Sequence, residues 1–143
     1  MQWPKSGKIF LPFGTVLGFI AVLAAALLSH RAVSDLSARA VYLVQLAIIF
    51  HLGHALVLMV MGMISARLTR RVQGLLMLAG YAFVLGVVIF CGSLYWLSLF
   101  GPGSLGALSF ITPIGGTALF VGWIALCVVS FRVISSDIGR GSQ

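Results

Sequence analysis

"VQGLLMLAGYAFVLGVVIFCGSLYWLSLF", Val72 to Phe100, runs from a pair of arginines to a Gly-Pro-Gly turn without one charged residue. A helix needs about 20 mostly apolar residues to cross the hydrocarbon core of a bilayer, where every backbone polar group must be satisfied within the spanning structure. Three further charge-free stretches meet that length: Ile9 to Ser29, Val41 to Ser65 and Leu105 to Phe131. Together they predict one membrane domain over residues 1–143, with transmembrane helices at approximately 9–29, 41–65, 73–100 and 107–131. The alternating pattern of a membrane barrel, about ten residues per strand between turns, is absent from such runs. The fold class read here is all-α, an integral membrane four-helix transmembrane bundle.

Composition agrees. Of 143 residues, 61% are hydrophobic and 8% charged, with two acids against nine Lys and Arg, which excludes an ordinary soluble domain. The first stretch, preceded by Lys5 and Lys8, invites comparison with a signal peptide. Its uninterrupted apolar run exceeds an h-region of about 7–15 residues and no A-x-A site precedes "SHRAVS", so it is read as a retained helix. Lys5, Lys8, Arg67, Arg70, Arg71, Arg132 and Arg140 fall on one side of a four-helix hairpin, and only Arg31 and Arg39 on the other. Basic residues concentrate at cytoplasmic helix ends, so both termini are expected inside. The net charge of +7 is dispersed over helix ends, which suits contact with anionic membrane lipids and gives no nucleic-acid partner.

Cys91 and Cys127 lie inside predicted helices without a C-x-x-C partner or metal-ligand spacing, so they read as small packing residues. In helix 1, Gly14 and Gly18 share a face, followed by Ala24 to Ala26. Small residues at that spacing let membrane helices approach closely, either across a dimer face or against another helix of the same chain. The outer loop "SHRAVSDLSARA" offers Asp35 as a weak surface partner for Arg31 or Arg39, and the inner loop "ARLTRRVQG" anchors the topology.

Helix 2 carries Gln45, His51 and His54. The two histidines are three residues apart, on one side of the helix, near the middle of the span. Intramembrane ionisable groups usually face the protein interior. A heme site would need axial histidines at matching depth on facing helices, and the third histidine, His30, lies at the outer end of helix 1. No Asp or Glu lies in any helix to build a carboxylate proton relay. The reading adopted is a neutral, inward His54 hydrogen-bonded within the bundle, with His51 the better placed of the two to touch a partner or ligand.

"FCGSLYWLSLF" at the end of helix 3 and "SFITPIGGTALFVGW" at the start of helix 4 concentrate Gly, Pro, Ser, Thr and Tyr. Pro113 removes an N–H, and Gly115 and Gly116 loosen the next turn, so a broken or distorted start to helix 4 is expected. Ser93, Tyr95, Ser98 and Thr112 would satisfy the freed backbone groups, as irregular backbone at membrane depth requires. Tyr95, Trp96 and Trp123 read as interfacial anchors. The alternative use of this cluster is a pocket for a lipid headgroup, quinone ring or other small ligand, although no second such segment makes the paired half-helices of a transporter.

With a central histidine in helix 2, "FCGSLYWLSL" followed by "ITPIGGTALFVGWIAL" resembles the small membrane family known as domain of unknown function 423. That family includes bacterial YgdD-like inner-membrane proteins and vertebrate transmembrane protein 256. The residues at the pattern's positions are Gly92, Ser93, Tyr95, Thr112, Pro113, Gly115, Gly116, Gly122 and Trp123, and His54 looks like the family's helix 2 histidine. The resemblance implies a four-helix protein of the bacterial inner (cytoplasmic) membrane in preference to the mitochondrial one. It implies no biochemical activity.

No nucleophile, base and orienter combination, phosphate loop or metal-ligand cluster is visible, so the chain is read as a non-enzyme with no cofactor and no metal. The expected function is that of a structural or accessory subunit packing against a larger membrane complex, such as a respiratory or redox assembly, or against a second copy of itself. The alternative is a lipid-, quinone- or small-molecule-binding membrane protein or transporter component. The candidate polar cluster is His51, His54, Ser93, Tyr95, Thr112, Pro113, Gly115 and Gly116.

In a chain lacking its two native cysteines, a cysteine placed at Ser34 or Gly103 should react with an impermeant label applied outside intact cells, and one at Thr69 should be spared. Labelling at Thr69 would reverse the topology.

Overall fold

The computed structural model describes residues 4–30 and 36–141; the expected pairing of Asp35 falls outside them, as does the side chain of His30. Among the described residues all regular structure is helical, and four segments are long and apolar enough to cross a membrane. Helix α1 spans Lys5–His30. Helix α2 spans Ala38–Ile64, and a 3₁₀ turn, Ser65–Arg67, completes its last turn. The third span is composite: α3 Arg70–Gly86, a π-helical turn Val87–Cys91 and α4 Gly92–Phe100. A short connection containing the 3₁₀ turn Gly106–Leu108 leads into α5, Ile111–Gly141.

Local chemistry sets these ends. Ser37, in extended conformation, accepts the Ala40 N–H at 3.2 Å and starts α2, which satisfies one of the orphan donors of a first turn. At the other end of the third span α4 stops at Gly101, whose φ of 87° is open to a residue without Cβ.

Packing pairs α1 with α2, and α5 with α3 and the π-helical turn, while α2 also meets α4. Lipid tails are as apolar as leucine, so contact area and backbone proximity supply what water supplies to a soluble core. A Cβ on Gly14 would come within 2.7 Å of Met59 N and 2.8 Å of Ala55 O, and one on Gly62 within 2.7 Å of Leu11 N. The Gly14 and Gly18 face therefore packs inside the chain, against α2; the dimer-face reading of that stripe is displaced. Phe10 extends the contact from α1 to α3, with its ring over Gly80 and edge-on to Tyr81 at 5.6 Å. The buried core runs through Phe10, Leu58, Met61, Leu76, Phe83, Val87 and Cys91, while Phe19, Ile49, Phe120 and Phe131 lie on the outside. That outward display of large apolar groups is the surface a hydrocarbon solvent requires.

The expected break at the start of the last helix is corrected. Helix α5 is continuous from Ile111 through Pro113, Gly115 and Gly116. Pro113 lies in its first turn, where a backbone N–H has no intrahelical partner in any case and the fixed φ of proline suits the helix. Gly115 is there for proximity: a Cβ on it would collide with the backbone N of Phe90 and approach its Cα to 2.8 Å. The distortion sits instead in the opposing span, at the π-helical turn Val87–Cys91, which carries Phe90. Such a turn inserts one extra residue into the α ladder and re-aims the side chains beyond it.

Gly115→Ala should therefore destabilise the bundle by about 1–3 kcal/mol, the usual cost of overpacking. Gly53→Ala, whose Cβ would meet nothing within 4 Å, should be neutral or stabilising by up to about 1 kcal/mol. Denaturation in detergent followed by circular dichroism compares the two, and equal effects would contradict the close approach.

Candidate functional site

Helix α2 turns His51 and His54 inward, 5% and 7% exposed. His54 Nδ1 lies 2.7 Å from the carbonyl oxygen of Phe50, one turn earlier. A carbonyl can only accept, so Nδ1 carries the hydrogen and donates it. That leaves Nε2 with a lone pair, and Trp123 Nε1–H of α5 donates to it at 3.1 Å. The two partners together assign a neutral imidazole in one tautomer, each ring nitrogen occupied. Two further rings close around this bond: Phe83 lies 5.3 Å from His54 and 5.4 Å from Trp123, the latter edge-on at 71°, and Phe50 stacks on His54 at 5.8 Å. Gly122 makes room for the Phe83 ring.

His51 is differently placed. Its Nδ1 is 3.4 Å from Tyr95 Oη of α4, a long contact, and its Nε2 is buried with no hydrogen-bond partner among the described residues. A buried polar atom left unpaired costs about 1–3 kcal/mol relative to a paired one.

The remaining hydroxyls join α4 to α5. Thr112 Oγ1 donates to Ser93 Oγ at 2.8 Å, and Ser93 donates in turn to the Phe90 carbonyl at 2.8 Å, inside the π-helical turn. Ser98 donates to the Tyr95 carbonyl at 2.7 Å. The predicted residues thus separate into three groups: His54 with Trp123, His51 with Tyr95, and Ser93 with Thr112 beside the Gly115 contact. The partners of Ser93 Oγ are an alcohol and a carbonyl, which cannot activate it as a nucleophile. Among the described residues no three His, Cys, Asp or Glu side chains come together as a metal site. Cys91 is buried in the core as a packing residue should be, whereas Cys127 is exposed on α5.

Two assignments change. Trp123 is the histidine's donor and not an interfacial anchor, and Tyr95 turns toward His51; Trp96, against Phe100 at 4.4 Å, keeps an outward position near the end of α4. Sequence reasoning also missed Phe83. Its one available signal was the glycine at 122, whose missing side chain the ring occupies. A cavity of about 320 Å³ lies at the end of the bundle where α2 starts and α4 stops, bordered by Ser37, Arg39 and Phe100, and another of about 690 Å³ lies at the opposite end. Neither is lined by a histidine.

The family described as "Protein of unknown function (DUF423)" matches residues 22–116. A UPF0382 membrane protein of Staphylococcus epidermidis is 33% identical over 125 residues, which are 87% of this chain and 97% of the relative. The UPF0382 membrane protein YwdK of Bacillus subtilis is 30% identical over 127 residues, 89% of this chain and 99% of its own. The UPF0382 inner membrane protein YgdD of Escherichia coli is 28% identical over 128 residues, 90% and 93% of the two chains. No solved structure gives a significant match.

Trp123→Phe, which leaves His54 Nε2 unpaired, should destabilise the protein by about 1–3 kcal/mol. His54→Gln, which keeps a hydrogen-bonding group, should preserve expression and stability better than His54→Leu. A double-mutant cycle of His54→Leu with Trp123→Phe should show a coupling of about 0.6–1.7 kcal/mol, the range found for hydrogen bonds between membrane helices. Strict additivity in thermal unfolding would show that the bond contributes nothing.

Proposed function

The chain belongs to the DUF423 family of membrane proteins, and from that premise we propose that it is a non-catalytic accessory subunit of the bacterial inner (cytoplasmic) membrane, both termini inside, packing laterally against a larger membrane protein complex. The observation that carries this reading is the engagement of the polar core. Both nitrogens of His54 are occupied, and Ser93 and Thr112 bond to each other and to backbone. Groups committed in this way are poor acids, bases or nucleophiles, because reaction would first require breaking buried hydrogen bonds. What the bundle offers its surroundings is its apolar flank. Within the most apolar windows of the first and last spans only 22% of residues are buried inside the chain, which leaves long faces for lipid and for neighbouring helices. Association there would rest on packing and on the few polar groups presented outward.

A second reading, binding of a small polar or quinone-like molecule, is favoured by the unpaired Nε2 of His51. A ligand acceptor or donor at that nitrogen would remove the only orphan among the buried side-chain atoms of the described residues.

Gentle-detergent purification from native membranes separates the two. The accessory reading expects a co-purifying membrane protein in near-stoichiometric amount, retained by His51→Leu, with no pigment in the absorption spectrum. A stoichiometric small molecule found by mass spectrometry and lost in His51→Leu would replace it by the binding reading.

A further inference from the structure

The sequence places five arginines and lysines at the end of the bundle where α1 and α3 begin: Lys5, Lys8, Arg67, Arg70 and Arg71. Only two of them, Lys5 and Arg70, line the cavity of about 690 Å³ found there. Its inner wall is a fixed polar surface. Ser6, 1% exposed, donates from Oγ to Gln73 Oε1 at 2.6 Å, and Gln73 Nε2–H donates to the Ser65 carbonyl at 2.8 Å. Ser65, fully buried, donates to the Gly62 carbonyl at 2.6 Å. Gln73, in the first turn of α3, therefore clasps the start of α1 and the end of α2, and so brings the segments carrying the two cations to one cavity.

Among the described residues no acid lines the cavity. The sequence has two acids, Asp35 and Asp137, and the side chains of both lie outside the described residues. Neither α1 nor α3 carries an acid in its first turn, and the Thr69 side chain makes no capping bond to α3. Met77 and Leu68 give the same cavity an apolar wall.

We propose that this cavity binds a phosphate-bearing anion, with the Arg70 guanidinium taking two phosphate oxygens and the Lys5 ammonium supplying a second positive charge. The planar fork of arginine matches phosphate geometry, and lysine acts as a point charge. The adjacent first turns of α1 and α3 add donors of the same sign. A headgroup phosphate and a free phosphate share this chemistry. The apolar wall beside the cations fits the first, since an acyl chain continues from the headgroup along the bundle. This names a site for the membrane lipids among the partners, and it stands whether or not a protein partner is found.

The test uses the purified full-length chain in detergent, with the thermal unfolding midpoint read against dihexanoyl phosphatidylglycerol, dihexanoyl phosphatidylcholine and inorganic phosphate. Phosphatidylglycerol should raise the midpoint saturably and phosphatidylcholine should not. In Lys5→Gln/Arg70→Gln the half-saturating concentration should rise at least about tenfold, the loss of a charge-assisted bond or more. In Arg67→Gln/Arg71→Gln, which removes equal charge at the same end but outside the cavity, it should change less than about twofold, as expected of screened surface charges. Saturation by inorganic phosphate in the same range would keep the site and assign it to the free anion. Equal weakening in the two double variants, or no distinction between the two lipids, overturns the proposal. Native mass spectrometry of the unaltered protein gives a reading independent of variant folding: one retained phosphatidylglycerol in preference to phosphatidylcholine is expected, and no preference overturns it.

Discussion

The bond from Trp123 Nε1 to His54 Nε2 joins α2 to α5, and it forms only if the imidazole is neutral with its hydrogen on Nδ1. The Phe50 carbonyl enforces that tautomer from one turn below. The surrounding rings of Phe50, Phe83 and Trp123 exclude alternatives by filling the space. In a medium with no water to accept a stray N–H, two polar groups that meet each other are far better placed than either would be alone. The bond thus ties α5, which packs on α3 and the π-helical turn, to α2 across the bundle.

Close backbone approach is the second constraint, and it operates at both edges of the bundle. Gly14 seats α1 on α2, and Gly115 seats α5 on the π-helical turn at Phe90. The turn displaces the register of the third span by one residue, so that Ser93 reaches Thr112 and Tyr95 reaches His51. A straight α-helix through Val87–Cys91 would rotate those side chains away from their partners, since one residue is about 100° of helix at 3.6 residues per turn. The hydroxyl pair, the contact between Tyr95 and His51 and the glycine contact are therefore consequences of one geometric choice.

Chemistry and surface divide along the membrane normal. The middle of the bundle holds polar groups that are mostly spoken for, with His51 Nε2 as the exception. The ends hold the cavities and the charges.

Val72 to Phe100 and the three runs like it determined by themselves that the chain is all-helical and crosses a membrane, because length without charge admits no other economical fate. The sequence also marked His54, Ser93, Thr112 and Gly115 as residues of consequence, since polar and helix-weakening groups at membrane depth demand compensation. It could not say what compensates what. Pro113 and Gly115 read locally as a break, yet proline at a first turn breaks nothing, and glycine without a visible neighbour gives no sign that another backbone rests against it. Trp123 read as an interfacial anchor for the same reason: an indole's partner lies 69 positions away in the chain, and only the packed tertiary structure decides which histidine nitrogen it meets. The π-helical turn left no mark beyond the glycines flanking it, Gly86 and Gly92, because its cause is the fit of two spans and not the propensity of one.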